Sequence, residues 1–169
     1  MDQVAAELGG LGVKASIFDH SDWRAVAETI KAQHRGRPEH EPLILVGYSM
    51  GGYSVIQLSR ELGTAGIPVD LLVALDPAFP PPVPANVARA VDLYQTQAGF
   101  KGGPVQADAG FRGELVVRNL GHLPGVEHRN FPIYPDVRRE VVARVLQVAR
   151  PRAARPRQRT VEQHRSRRG

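Results

Sequence analysis

The sequence contains no cysteine, few aromatic residues and no long apolar run. Without cysteine the chain can form no disulfide, and it offers neither a thiolate zinc ligand nor a cysteine nucleophile. No apolar stretch approaches the roughly 20 residues that a membrane-spanning helix requires. Asp2 and Glu7 stand where a secretory signal peptide would carry basic residues. We therefore expect a cytoplasmic protein without cofactor, metal or transmembrane segment, or an exported precursor if residues precede Met1.

The positive charge is concentrated at the C-terminal end of the chain. The formal net charge is +5 at pH 7, and residues 150–169 hold eight arginines and one glutamate, a local charge of +7. Residues 1–149 are therefore slightly acidic, and we predict that they form a single folded domain. The arginine-rich end has almost nothing to bury, so we predict a disordered tail. Because it lacks interleaved aromatic residues, we expect no specific nucleic-acid partner.

Strand-like and helix-like patterns alternate along residues 1–149. The spacing of apolar side chains predicts helices over 2–9, 23–34, 50–62 and 137–148, and short apolar runs predict strands over 13–18, 43–46, 69–75 and 114–119. Residues 87–97 fit a helix or a strand. Such alternation is typical of an α/β protein. We predict a mostly parallel sheet flanked by helices, in a three-layer α/β/α arrangement.

One segment carries a chemical signature, the pattern G-x-S-x-G at residues 47–51. It lies between an apolar strand and a helical pattern, a context that favours a strained turn with the Ser49 hydroxyl exposed. Gly47 and Gly51 flank the serine, where the strand and helix backbones are expected to approach closely. The Met50 N–H, at the start of the helix, could stabilise negative charge on a bound carbonyl oxygen. We predict that Ser49 is a nucleophile; a tightly packed or phosphate-binding turn is the alternative.

A serine nucleophile needs a neighbouring base and an acid that orients the base. Asp76 is the preferred acid, because it ends the apolar strand after the nucleophile and the carboxyl ends of parallel strands meet at one edge. Asp92 and Asp108 are the alternative acids. His128 is the preferred base, since it lies far along the loop before the last helix. His122, closer behind the last strand, is the alternative base.

These features together resemble the α/β-hydrolase superfamily, over residues 1 to about 149. The segment Leu75-Asp76-Pro77-Ala78 is similar to the acid-bearing motif of one lipase branch. The resemblance implies a serine esterase, lipase-like or thioesterase-like enzyme that hydrolyses a small-molecule or lipid-like acyl ester through an acyl-enzyme. It further implies that Ser49 is the nucleophile, His128 the general base and acid, and Asp76 its orienting partner.

The chain departs from that superfamily at its N-terminal end. The second oxyanion donor of the superfamily comes from a loop before its first helix, and this chain begins within that helix. We therefore expect an N-terminally shortened, incomplete α/β-hydrolase fold. Because one lost donor typically costs ~10²–10³ in rate, a catalytically weak or inactive remnant or binding module is the alternative function. The Pro-rich stretch after Asp76 is too short for a lid domain, so we expect a shallow, open pocket.

Overall fold

A four-stranded parallel sheet with helices on both faces forms the centre of the fold. The computed structural model describes residues 1–34, 41–96 and 102–149. The strands pair in chain order and are β1 (Ile44–Tyr48), β2 (Leu71–Leu75), β3 (Arg89–Tyr94) and β4 (Glu114–Asn119). The helices are α1 (Asp2–Gly10), α2 (Trp23–His34), α3 (Met50–Thr64) and α4 (Pro135–Ala149), with short 3-10 helices at His20–Asp22 and His128–Ile133.

Two hydrophobic cores hold the helices on the sheet, one on each face. Successive side chains of a strand point to opposite faces, and β2 supplies both cores. Leu71, Val73 and Leu75 pack in the core that includes α1 and α4. Leu72 and Ala74 pack in the core that includes α2 and α3. Because every β2 residue is buried, the strand reads as a continuous apolar run, and the predicted three-layer α/β/α architecture is confirmed.

The predicted strand over residues 13–18 is wrong. The Val13 N–H donates to the Leu8 carbonyl at 2.9 Å and closes the end of α1, and the residues that follow have no regular secondary structure. Ile17 and Phe18 are more than half exposed. A strand forms only against a neighbouring strand, and among the described residues β1 pairs with β2 alone.

The remaining predictions differ from the structure mainly at element boundaries. The ambiguous stretch 87–97 contains strand β3 and no helix in its described part. The described part of the chain has no helix long and apolar enough to cross a membrane. The predicted domain limit at residue 149 and the predicted disordered tail concern residues 150–169, which lie outside the described residues.

The carboxyl ends of the strands bring the predicted site residues to one edge of the sheet. Ser49 follows β1 and Asp76 follows β2, and the last residues of these strands, Tyr48 and Leu75, are partners in the ladder. His128 opens the 3-10 helix that precedes α4. The topology therefore places all three residues where the loops of a parallel sheet meet.

Candidate active site

Ser49 occupies a sharp turn between β1 and α3. Its backbone lies at φ 56° and ψ −120°, a conformation that residues with a side chain rarely adopt. Gly47 makes the turn possible, because a Cβ at this position would lie 2.1 Å from the Gly51 carbonyl oxygen. The Ser49 N–H donates to the Leu75 carbonyl at 2.9 Å. This bond fixes the turn to the end of β2, beside the segment that carries Asp76.

Ser49, His128 and Asp76 form a continuous hydrogen-bonded chain. Ser49 Oγ lies 3.0 Å from His128 Nε2, and His128 Nδ1 lies 2.7 Å from Asp76 Oδ2. With the imidazole proton on Nδ1, the Ser49 hydroxyl donates to Nε2 and Nδ1–H donates to the carboxylate. Asp76 is fully buried, whereas His128 is partly exposed. The arrangement joins the hydroxyl of a half-buried serine to a buried carboxylate through one imidazole.

Gln95 holds the Asp76 carboxylate from the next strand. Its side-chain Nε2–H donates to Asp76 Oδ2 at 2.9 Å, and its backbone N–H donates to Oδ1 at 3.2 Å. Both residues are buried, so these bonds are not shared with bulk water. The Asp76 N–H in turn donates to the Leu93 carbonyl at 2.7 Å. Sequence analysis missed Gln95, although Gln95 directly follows β3 and therefore lies at the sheet edge where Asp76 was predicted to lie.

Tyr48 holds the segment that carries the imidazole. Its hydroxyl donates to the His128 backbone carbonyl at 2.6 Å, and the two rings lie 5.1 Å apart between centroids. Burial raises the pKa of Tyr48, and the Asp76 charge adds to the shift, so the hydroxyl stays a donor at neutral pH. Sequence analysis missed this residue because it fills a variable position of the motif.

The comparisons with known proteins identify the family of the chain. A family model described as the alpha/beta hydrolase family matches residues 9–166. The chain belongs to the alpha/beta hydrolase family. The predicted superfamily is thereby confirmed, and membership supports a hydrolase activity in general.

Two solved structures resemble the chain. The type II thioesterase BorB from the borrelidin biosynthetic cluster is 14% identical, with a TM-score of 0.51 over 76% of this chain and 70% of its own. A Xanthomonas campestris pv. campestris protein assigned to the alpha/beta superfamily of hydrolases is 20% identical, with a TM-score of 0.49 over 86% of this chain and 88% of its own. No curated protein matches the sequence. At 14% identity, the likeness to the thioesterase shows a shared fold alone.

The alternative acids lie elsewhere in the hydrolase. Asp92 is buried within β3, where its Oδ2 accepts a bond from the Val105 N–H at 2.8 Å. Its Oδ1 has no hydrogen-bond partner among the described residues. Burial raises the pKa of Asp92 to about 7, against the effect of the Val105 bond, and the charge of Asp76 adds to the rise. Asp108 instead pairs with Arg60 at 2.8 Å, and this bond lowers the pKa of Asp108.

The alternative base also lies apart from Ser49. His122 sits in the turn after β4 and lines an open cavity of about 440 Å³ beside α4, together with Arg118 and Arg139. Of the two histidines, the structure brings His128 into contact with Ser49 and Asp76.

The acidic turn before α2 is a capping structure. The Asp19 Oδ1 accepts bonds from the Ser21 N–H at 2.9 Å and from the Ser21 hydroxyl at 2.7 Å. These bonds lower the pKa of Asp19. Across residues 1–34, 41–96 and 102–149, no three carboxylate or imidazole side chains are grouped so that they could hold a metal ion.

Proposed function

We propose that the protein is a serine hydrolase that cleaves a carboxylic ester or thioester through an acyl-enzyme on Ser49. The observation that supports this is the hydrogen-bonded chain from Ser49 Oγ to His128 Nε2 at 3.0 Å and from His128 Nδ1 to Asp76 at 2.7 Å. A hydroxyl bound to an imidazole, itself oriented by a carboxylate, is the arrangement that activates serine near neutral pH.

In the proposed acylation step, Ser49 Oγ attacks the carbonyl carbon while His128 Nε2 accepts the hydroxyl proton. The buried Asp76 carboxylate stabilises the imidazolium that forms. The Met50 N–H, at the start of α3, donates to the oxygen of the tetrahedral intermediate. His128 then gives its proton to the departing alcohol or thiol as the carbon–oxygen or carbon–sulfur bond breaks.

In the proposed deacylation step, water attacks the carbonyl carbon of the acyl-enzyme and loses a proton to His128. The second tetrahedral intermediate collapses with release of the carboxylic acid, and the proton returns to Ser49 Oγ. Gln95 keeps the Asp76 carboxylate oriented through both steps, because it donates to both carboxylate oxygens.

A weak or inactive protein of the same fold is the second candidate. Met50 supplies the one oxyanion donor that we identify among the described residues. Because removal of a single donor typically costs ~10²–10³ in rate, a site with one donor could acylate slowly. This candidate predicts an activated serine with little turnover.

Two measurements on the purified protein test the proposal. We expect a fluorophosphonate to label Ser49 alone, with mass spectrometry locating the label, and we expect hydrolysis of a chromogenic ester or thioester. Ser49→Ala should abolish both signals, whereas Ser16→Ala, which changes an exposed serine, is the matched control. A label on another serine, or equal labelling of Ser49→Ala, would contradict the proposal. Labelling of Ser49 without turnover would favour the second candidate.

A further inference from the structure

Exposed apolar side chains lie on all three segments that carry the proposed catalytic residues. Met50 directly follows Ser49 and is 39% exposed, and Phe79, three residues after Asp76, is 63% exposed. Ile133 ends the 3-10 helix that begins at His128 and is 46% exposed. Single exposed apolar side chains are common on protein surfaces, but several of them on the segments around a reactive site indicate a binding surface.

Phe79 is also held in an unusual backbone conformation beside the nucleophile. Its φ is +46°, in the left-handed region where a bulky residue is an outlier. The residue before it, Ala78, donates its N–H to the Ser49 carbonyl at 3.1 Å, which ties this segment to the nucleophile turn. Strained residues persist at active sites when the surroundings enforce them, so an exposed, strained aromatic at this position suggests a role in binding.

Two cavities in the described part of the chain are lined by residues other than those of the candidate site. One, of about 190 Å³, is lined by residues that include Leu71 and Arg89, at the start of β2 and β3. The other, of about 440 Å³, is the His122 cavity beside α4. Neither is lined by Ser49, Asp76 or His128. The exposed side chains of Met50, Phe79 and Ile133, in contrast, lie on the segments that carry the three residues.

We propose that Met50, Phe79 and Ile133 form an apolar rim that binds the acyl chain of a medium- or long-chain ester or thioester. This inference rests on the proposed function. The acyl chain is the occupant because it stays bonded to Ser49 Oγ in the acyl-enzyme, next to Met50, after the alcohol or thiol has left. An open rim covers one side of the chain and has no end wall, so it sets no sharp upper limit on chain length.

The first experiment measures kcat/KM for p-nitrophenyl esters from butanoate to dodecanoate, below their aggregation concentrations. Full burial of one methylene corresponds to about a fourfold gain, so an open rim should give about twofold per methylene, roughly 16-fold from butanoate to octanoate. Phe79→Ser and Ile133→Ser should each reduce this ratio several-fold. Val117→Ser, which alters an exposed residue of β4, is the matched control and should leave it unchanged. Because the ratio compares two substrates on one sample, a partly unfolded variant does not distort it.

Several outcomes would overturn the rim while leaving the proposed function intact. These are a flat chain-length profile, a ratio unchanged in Phe79→Ser, or equal losses in Val117→Ser. A rate that rises only above the aggregation concentration would identify a lipid surface as the occupant and would also overturn the proposal.

A second measurement does not depend on turnover. Binding of octanoate and butanoate to the Ser49→Ala protein can be followed by NMR, and we expect octanoate to bind roughly 16-fold more tightly, at the same twofold per methylene, with most of the difference lost when Phe79→Ser is added. Absent phosphonate labelling of the unmutated protein would count against the proposed function, whereas equal binding of the two acids would count against the rim.

Discussion

Replacement of Asp92 by asparagine should remove most of the pH dependence of stability between pH 5 and 8. The carboxyl is buried within β3, one of its oxygens accepts the Val105 N–H, and the other has no partner among the described residues. Burial raises the pKa of Asp92 from 3.8 to about 7. In the folded protein the carboxyl is therefore protonated at pH 5 and largely ionised at pH 8.

The sign and size of the effect follow from this shift. Between pH 3.8 and 7 the folded state holds a proton that the unfolded state has lost, so the free energy of unfolding falls as the pH rises. The fall is about 1.4 kcal/mol per pH unit and ends near pH 7. Between pH 5 and 8, the ionisation of Asp92 should therefore lower the free energy of unfolding by about 3 kcal/mol. Asp92→Asn cannot ionise and should lack this loss.

The effect is measured by urea unfolding of the unmutated protein and of Asp92→Asn at every half pH unit from pH 5 to 8. At each pH, the two free energies of unfolding are compared. Asp108→Asn is the control, because the Arg60 bond lowers the pKa of Asp108 and places its titration below this window. Parallel curves for Asp92→Asn and the unmutated protein would refute the reasoning, and would show that Asp92 is already ionised in the folded protein throughout the range.

Three further predictions concern the nucleophile turn and the imidazole. His128→Ala should lower kcat for a chromogenic ester by ~10⁴ or more, whereas His122→Ala should stay within about twofold; the reverse result would exchange their roles. Tyr48→Phe, which deletes the donor to the His128 carbonyl, should slow phosphonate labelling about five- to tenfold, the equivalent of one hydrogen bond, and an unchanged labelling rate would show that this bond does not position the ring. Gly47→Ala should lower the free energy of unfolding in urea by more than ~3 kcal/mol, because the new Cβ clashes with the Gly51 carbonyl. Gly51→Ala is the control and should cause no such loss, because a Cβ at that position has open space around it. Similar losses in both variants would contradict the steric argument.

The sequence pointed to three residues that the structure brings into contact, because their positions follow from chain order. Ser49, Asp76 and His128 each follow an apolar strand or precede the last helix, and a parallel sheet collects such positions at one edge. The supporting contacts were not predictable, because they depend on side-chain direction. Tyr48 ends β1 and Gln95 directly follows β3. Nothing in the residue type of either indicates that Gln95 contacts Asp76 or that Tyr48 contacts His128.

Two local predictions were wrong for reasons of long-range packing. Residues 13–18 have the apolar pattern of a strand, but a strand is stable only beside another, and the sequence does not say which neighbour is present. A close approach that only glycine permits was predicted at Gly51, but in the structure it occurs at Gly52. A Cβ at Gly52 would lie 2.7 Å from the Pro77 Cβ, whereas Gly51 has open space. That distance depends on where the loop after β2 lies.

The strand order has a consequence for how the site is completed during synthesis. Because β1, β2, β3 and β4 are neighbours in the order in which they are translated, the partner of each new strand has already left the ribosome when that strand emerges. The turn with Ser49 and the carboxylate of Asp76 then come together early, through adjacent strands. The imidazole of His128 joins them only after all four strands have emerged. Until then a nascent chain holds the proposed nucleophile without its proposed base, so under the proposed function reactivity toward a serine-directed probe would report that residue 128 has left the ribosome.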